Sequence, residues 1–303
     1  MELVSIITVN YNQPKATIAL LQSLKKQDTT GLEVILVDNA SDENHEDEFN
    51  NIFPNLIFIR TKVNLGFAGG NNLGINVAKG DYIFLLNNDT EVPENCINRL
   101  VAVFKENENI GLLSPLILYD DDKSIVQYAG YTPLNYLTAR NEQIGQFEKN
   151  VGQFNGVTTE TGFCHGAAVM CRKTDLQKAG LMDENYFLYY EELDWCEKFK
   201  RIGKGIYFTG KTYIYHKESM SVGKDSAIKT YFLTRNRMLF IRKNTGLLNT
   251  LFFSMYYIFI ACPKMMVKYI ITGKSHLVKW IVKAVLWNLT HQKNSKNLGF
   301  KIK

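Results

Sequence analysis

Apolar residues in the first third of the chain fall in short unbroken runs. Residues 3–9, 33–37, 56–60 and 82–86 are such runs, rich in Val, Ile, Leu and Phe, and each stops in polar, turn-forming residues. Runs without strict alternation predict strands covered on both faces, hence an α/β fold built on a mainly parallel sheet with right-handed helical crossovers. Helical spacing lies between them, first through Ile18, Leu21 and Leu24. In such a sheet the ligand lies outside the carboxyl ends of the strands. The loops around Thr8 to Asn10, Asp38, Asn64 to Asn72 and Asn87-Asn88-Asp89 therefore converge on one crevice.

A helix is expected from about Glu94 to Glu106, and the plain reading of Thr90, Glu91, Pro93 and Glu94 is a turn and the start of that helix. A strand follows at 112–118. Residues 120–156 lose periodicity and read as an excursion that touches a second substrate. Further on, 191–202 is a helix stopped by Gly203, two short strands at 206–209 and 213–215 deliver His216 to a loop, and 227–243 is a basic helix containing Arg235-Asn236-Arg237.

At 303 residues and 46% hydrophobic, the chain can bury one large core, or a core plus an appended element. Five cysteines without a C-x-x-C pair suggest neither a disulfide framework nor a structural zinc site, and fit a reducing, cytosolic setting. The first strand begins directly after Glu2, without the basic segment of a signal peptide, so secretion is not expected. Charge divides the chain sharply. The net +5 combines 14 Lys or Arg and no acid in residues 226–303 with −9 in the remainder. That asymmetry points to an anionic partner, phospholipid or nucleic acid.

The uncharged stretch 245–263 contains Gly246, Asn249, Thr250, Ser254 and Pro263, which makes it marginal as a membrane span. After it, Lys264, Lys268, Lys279 and Lys283 interleave with Met265, Val267, Tyr269, Trp280 and Trp287, the composition of basic amphipathic helices lying in a membrane interface. A helical cap on the core or a homodimer interface is the other reading of this tail. Its long apolar stretches argue against nucleic acid.

Six motifs in order resemble glycosyltransferase family 2, and within it the bacterial rhamnosyltransferase-like enzymes. They are Val4-Ser5-Ile6-Ile7-Thr8-Val9-Asn10-Tyr11-Asn12, Val37-Asp38-Asn39-Ala40-Ser41-Asp42, residues 64–72, residues 85–90, residues 189–196, and Arg235-Asn236. The resemblance covers roughly residues 3–245. It implies a GT-A fold for residues 1–245, followed by the tail at 246–303, and transfer of a sugar from a nucleotide diphosphate donor with inversion at the anomeric carbon.

The chemistry needed has matching residues. A leaving diphosphate develops negative charge that a hard divalent cation, Mn2+ or Mg2+, can neutralise. Asp89 resembles the last carboxylate of the family's DXD motif, Asn87 stands where that motif has its first Asp, and His216 resembles the family's late metal-binding histidine. Inversion also needs a base opposite the leaving group. Glu192 matches the position of the family's catalytic Asp, and Asp194 is the rival or an orienting group.

For the donor, Asp38 resembles the carboxylate that accepts a pyrimidine N–H, which uracil and thymine both offer. Thr8 and Asn10 are expected to line base and ribose, Asn64, Asn71 and Asn88 to supply amides, and Gly66, Gly69 and Gly70 to allow close backbone approach. Arg235 is expected to reach the diphosphate, and Tyr189, Tyr190 and Trp195 to form an acceptor platform. The implied partners are a dTDP- or UDP-linked sugar and a saccharide or polyprenyl-linked acceptor, met at the cytoplasmic face of an anionic inner membrane.

Other classes fit less well. A dinucleotide dehydrogenase places G-x-G-x-x-G after its first strand, where this chain has Asn10-Tyr11-Asn12. A processive synthase would carry Gln-x-x-Arg-Trp and several spans, so single-residue transfer is favoured. The remaining rival is a catalytically inactive, membrane-associated GT-A scaffold that has lost its metal chemistry through Asn87 and Glu192.

Overall fold

A computed structural model describes residues 2–217 and 225–302. The chain opens with β1 (Val4–Asn10), α1 (Pro14–Lys25), β2 (Leu32–Asp38), α2 (Glu46–Ile52), β3 (Ile57–Arg60), α3 (Gly66–Val77) and β4 (Tyr82–Leu86). Pro14 sits in the first turn of α1, where its missing N–H costs nothing, and Leu20, Leu21 and Leu24 put that helix's apolar side on the sheet. β1 pairs in parallel with β2 on one side and β4 on the other, with Val4 opposite both Leu32 and Tyr82.

The chain continues through β5 (Thr90–Glu91), α4 (Cys96–Glu106), β6 (Ile110–Tyr119), β7 (Val126–Tyr128), β8 (Thr158–Glu160), β9 (Ala168–Arg172), α5 (Lys173–Ala179), α6 (Glu191–Arg201) and β10 (Gly205–His216). The main sheet order is β3-β2-β1-β4-β9-β6-β10-β5. Its N-terminal half is parallel as the apolar runs predict, whereas β9 runs antiparallel to both β4 and β6, so the sheet as a whole is mixed. Ile6 and Phe84 face one hydrophobic core, while Ile7, Ile83 and Leu85 face another that includes Trp195 and Phe199. Burial on both faces is what produced the unbroken apolar runs; each such side chain contributes about 1.5–3 kcal/mol.

Two expectations change. Thr90 and Glu91 form a short strand, not a helix start, because they pair with the end of β10, His216 opposite Thr90. The two strands expected at 206–209 and 213–215 are one strand, with an irregularity between Thr209 and Tyr213. The consequence is local: the β5–β10 pairing sets Asp89 beside His216.

The C-terminal part consists of α7 (Ala227–Asn244), α8 (Leu247–Tyr256), a π-helical turn (Tyr257–Ala261), α9 (Cys262–Ile271) and α10 (Val278–Thr290). It shares a hydrophobic core with the first part, since Tyr186 and Tyr190 pack with Leu239, Phe253, Tyr257, Ile281 and Trp287. The final residues fold back as well: Tyr231 donates its hydroxyl to the Leu298 carbonyl at 2.9 Å.

Candidate active site

From β1 the chain passes to β2 and β3 on one side and then crosses to β4 on the other. The carboxyl ends of β1 and β4 therefore flank a topological switch point, where an α/β sheet opens a crevice. A cleft of about 560 Å³ lies there, lined by Asn87, Asn88 and Asp89, by Asn64, Gly66 and Asn71, and by His165 and His216.

Asp89 and His216 meet in this cleft, Asp89 Oδ1 lying 3.2 Å from His216 Nε2. The imidazole is oriented from behind, with Gln127 Oε1 2.7 Å from Nδ1. A carbonyl oxygen accepts, so Nδ1 carries a proton, and in the neutral imidazole Nε2 then keeps its lone pair. Asn87 Nδ2, 3.4 Å from Nε2, is the donor that fits such a lone pair. Among the described residues Asp89 Oδ1 is buried without a hydrogen-bond partner. A bare carboxylate oxygen and an imidazole lone pair facing each other form a donor set suited to a divalent cation. Among the described residues no group of three or more His, Cys, Asp or Glu able to hold a metal occurs. The pair fits a divalent ion that would take its remaining ligands from outside the described side chains.

His165 lines the same cleft, 5.7 Å from the His216 ring centroid. Its Nδ1 accepts the Ala167 N–H at 3.2 Å, and burial together with His216 pushes it down to about 3, so it stays neutral. Sequence reasoning missed His165, Gln127 and also Gln143 and Gln146 of the cleft wall. Gln127, Gln143 and Gln146 come from the aperiodic excursion, where no spacing marks them.

The donor-side residues divide into lining and support. Asn64 and Gly66 line the cleft, and the Gly66 N–H donates to Asn64 Oδ1 at 2.8 Å. Gly66 has φ +73°, and a Cβ there would overlap the Phe187 carbonyl oxygen, so both its conformation and its contact require glycine. Asn71 lines the cleft with its amide donated to the Phe67 carbonyl at 2.9 Å. Gly70 is not on the cleft wall; it packs tight against Val9, which is.

Thr8, Asn10 and Asp38 lie behind the wall rather than on it. Asn10 donates to Asp38 Oδ1 at 2.8 Å and accepts from Thr17 Oγ1 at 3.0 Å, while Arg60 Nε stands 3.2 Å from Asp38 Oδ2. Asn88 turns its amide to Thr17 Oγ1 at 3.0 Å, tying the end of β4 to α1. Thr8 Oγ1 is buried without a partner.

The acidic helix α6 starts from a strained loop. Phe187, Tyr189 and Tyr190 all have positive φ, at 65°, 69° and 77°, unusual for non-glycine residues and held only where surroundings dictate it. The surroundings are Arg235 and Asn236. Asn236 Nδ2 donates to the carbonyls of Tyr186, Leu188 and Tyr189 at 2.7–2.9 Å, and Arg235 donates to the Asn185 and Leu298 carbonyls. Arg235 is fully buried, with its guanidinium 4.3 Å from the Trp287 ring. Arg235, expected to reach the diphosphate, is not among the residues that line the cleft, and the Arg-Asn motif buttresses the loop from beneath.

Two residues after this loop, Glu192 stands near Gly166, behind the cleft lining. A Cβ placed on Gly166 would lie 3.9 Å from both Glu192 Cγ and Phe67 Cζ, so Gly166 leaves open the space between Glu192 and a cleft-lining ring. Burial pushes Glu192 up to about 7, and burial plus Glu192 raise Glu191 well above the usual carboxylate range. Glu191 Oε2 is buried without a partner. Asp194 points elsewhere: its Oδ1 accepts the Tyr186 hydroxyl at 3.1 Å and Asn244 Nδ2 at 2.8 Å, fastening α6 to α7. Asp194 is not among the residues that line the cleft. Trp195 is core, donating to the Gly180 carbonyl at 2.9 Å, whereas Tyr189 does line the cleft.

The model of the family described as glycosyl transferase family 2 matches residues 5–178, more than half of the chain. An uncharacterized glycosyltransferase of Haemophilus influenzae is 37% identical over 112 residues, 37% of either chain, so the match spans little more than a third of that relative. The dTDP-rhamnosyl transferase RfbF of Shigella flexneri is 25% identical over 78% of this chain and 79% of its own. An N-acetylglucosaminyl-diphospho-decaprenol L-rhamnosyltransferase of Mycobacterium tuberculosis is 22% identical over 75% and 80%. Among solved structures, GalNAc-T7 with UDP, GalNAc and Mn2+ gives a TM-score of 0.67 at 15% identity, over 95% of this chain and 56% of that one, a likeness of fold. The chain belongs to glycosyl transferase family 2 and is a glycosyltransferase with the GT-A fold.

Proposed function

We propose that the protein transfers one sugar, rhamnose or a close relative, from a dTDP- or UDP-linked donor to a saccharide or polyprenyl-linked acceptor of a cell-surface glycan, with inversion. The observation that carries this reading is the pairing of Asp89 and His216 at the switch-point cleft; Glu192 stands behind that cleft's lining, across Gly166 from the lining residue Phe67. Names of relatives that transfer rhamnose, one from dTDP and one to a diphospho-decaprenol, support the donor and acceptor class.

In this reading Glu192 takes the proton of the acceptor hydroxyl as its oxygen attacks the anomeric carbon from the face opposite the diphosphate. The bond from anomeric carbon to diphosphate oxygen breaks, and its electron pair leaves with the nucleotide. Asp89 and His216 would hold Mn2+ or Mg2+, which when bound neutralises charge on the diphosphate. Asn64 and the Gly66 backbone approach the donor, backed by the Asn10–Asp38–Arg60 network. Residues 246–303 hold the enzyme peripherally at the cytoplasmic face of an anionic membrane, where such acceptors are presented.

Calorimetric binding of UDP and dTDP, each with and without Mn2+, followed by turnover of the preferred nucleotide sugar, tests the proposal. Metal-enhanced binding with transfer is the expected result. Folded protein that binds neither nucleotide would replace it with the inactive scaffold.

A further inference from the structure

The segment Leu247–Ile271 is one continuous helix of 25 residues, apolar and long enough to cross a bilayer by length and composition, yet only 17% of its most apolar window is buried. Its two sides differ completely. Phe253, Tyr257 and Cys262 are buried in the core shared with α7, whereas Leu251, Phe252, Met255, Phe259, Ile270 and Ile271 are more than half exposed.

An i, i+4 row on an α-helix advances about 40° per step, so the row through Leu247, Leu251, Met255 and Phe259 sweeps about 120° around the axis. Continued to Ile271, an uninterrupted helix would carry the exposed row round to the α7 side. The π-helical turn at Tyr257–Ala261 prevents this. A π-turn holds one extra residue, which sets the phase back by about the 100° of one α-helical residue. Val267, Ile270 and Ile271 thereby emerge on the side of Leu251 and Phe252, and Cys262 stays in line with Phe253 and Tyr257. The helix keeps one buried line and one apolar stripe along its whole length.

We infer that this stripe is a membrane-docking face on which Leu247–Ile271 lies in the plane of an anionic bilayer rather than crossing it. The inference deepens the peripheral-membrane part of the proposed function and is independent of the transfer chemistry. A crossing helix would have to leave α7, exposing Phe253, Tyr257 and Cys262, and would carry Lys264 and Lys268 toward the apolar interior. Lying flat keeps the buried line in place and lets those lysines reach headgroups. Charge selects the occupant: exposed Lys264, Lys268, Lys279 and Lys283 accompany the apolar residues of α9 and α10, and residues 226–303 hold no carboxylate. A second copy docked on the same face would bring two lysine-rich surfaces together without compensation.

The experiment is flotation of the full-length protein with phosphatidylglycerol-containing and pure phosphatidylcholine vesicles, with wild type, Phe252→Asp/Phe259→Asp, and Lys264→Gln/Lys268→Gln. Expected are preference for the anionic vesicles, at least tenfold weaker binding for the double Asp variant, and about fivefold loss per lysine. Nitroxides at positions 251, 259 and 270 should report one common depth. Nucleotide binding should be unchanged in every variant, which separates this inference from the proposed chemistry and confirms folding. Unchanged flotation of the double Asp variant, depths graded from one helix end to the other, or a stable dimer broken by Phe259→Asp would each overturn it.

Discussion

Gln127 Oε1 accepts from His216 Nδ1 at 2.7 Å, and this fixes which imidazole nitrogen faces Asp89. The relationship joins β7 to the end of β10, elements 89 residues apart in sequence, and turns His216 into a residue with a lone pair aimed at the cleft. Partners that orient a metal-ligating histidine typically contribute 10–100-fold to metal affinity. Gln127→Leu should therefore weaken Mn2+ binding in the presence of nucleoside diphosphate by about that factor, as read by electron paramagnetic resonance titration, while nucleotide binding without metal is unaffected. Equal Mn2+ affinity in the variant would remove Gln127 from any positioning role.

Glu192 predicts a pH dependence. Burial lifts its pKa to about 7, so between the ordinary carboxylate range and about 7 the folded protein holds it protonated while the unfolded chain does not. Two consequences follow in opposite directions. As a base it must lose its proton, so kcat/KM should rise with pH through an apparent pKa near 7, shared with neighbouring Glu191. Stability should fall over the same interval, because the unfolded state binds fewer protons there. Glu192→Gln should abolish transfer, retain nucleotide binding and lose this part of the pH-dependent destabilisation. A variant that still turns over would return the base to another group.

The parallel half of the sheet was legible because burial on both faces leaves continuous apolar runs, and Asn87-Asn88-Asp89 was legible as a polar strand end. What could not be read depends on partners distant in sequence. β5 exists only through its pairing with β10, so Thr90 and Glu91 alone look like a helix start. Gln127 carries no signal, because a glutamine in an aperiodic stretch acquires meaning only when an imidazole is brought to it. Charge alone does not place a side chain: Arg235 is engaged by backbone carbonyls within the core, and Asp194 by Tyr186, Asn244 and, at i,i+4 spacing, Lys198. In the tail, composition gave basic and apolar helices, while α7 decided which side of each was covered.

Asp194 should behave as a structural residue. Its truncation to alanine leaves the Tyr186 hydroxyl, on a fully buried ring, without an acceptor and removes one of the two bonds that tie Asn244 to α6, the Arg201 donation to Asn244 Oδ1 being the other. An unsatisfied buried polar group costs about 1–3 kcal/mol. Thermal denaturation of Asp194→Ala should show that loss, with nucleotide binding by the folded fraction retained. Wild-type stability combined with lost transfer would instead restore Asp194 to the chemistry.

Asn236 supplies the test of whether strain before α6 matters to transfer. Its amide holds the carbonyls of Tyr186, Leu188 and Tyr189, across the stretch where Phe187, Tyr189 and Tyr190 take positive φ. Such conformations cost about 1–3 kcal/mol each and persist only where the surroundings over-determine them. Asn236→Ala removes that hold, letting the loop relax and Glu192 leave its place beside Gly166. Part of the destabilisation from lost hydrogen bonds is offset by the released strain, so the melting temperature should fall modestly while kcat falls at least tenfold and the nucleotide affinity stays close to wild type. Asn236→Asp, which keeps the shape but replaces the donor by an acceptor facing three carbonyls, should be worse on both counts. If Asn236→Ala lowers stability yet leaves kcat intact, the loop conformation is a feature of folding alone and Glu192 is positioned by α6 itself.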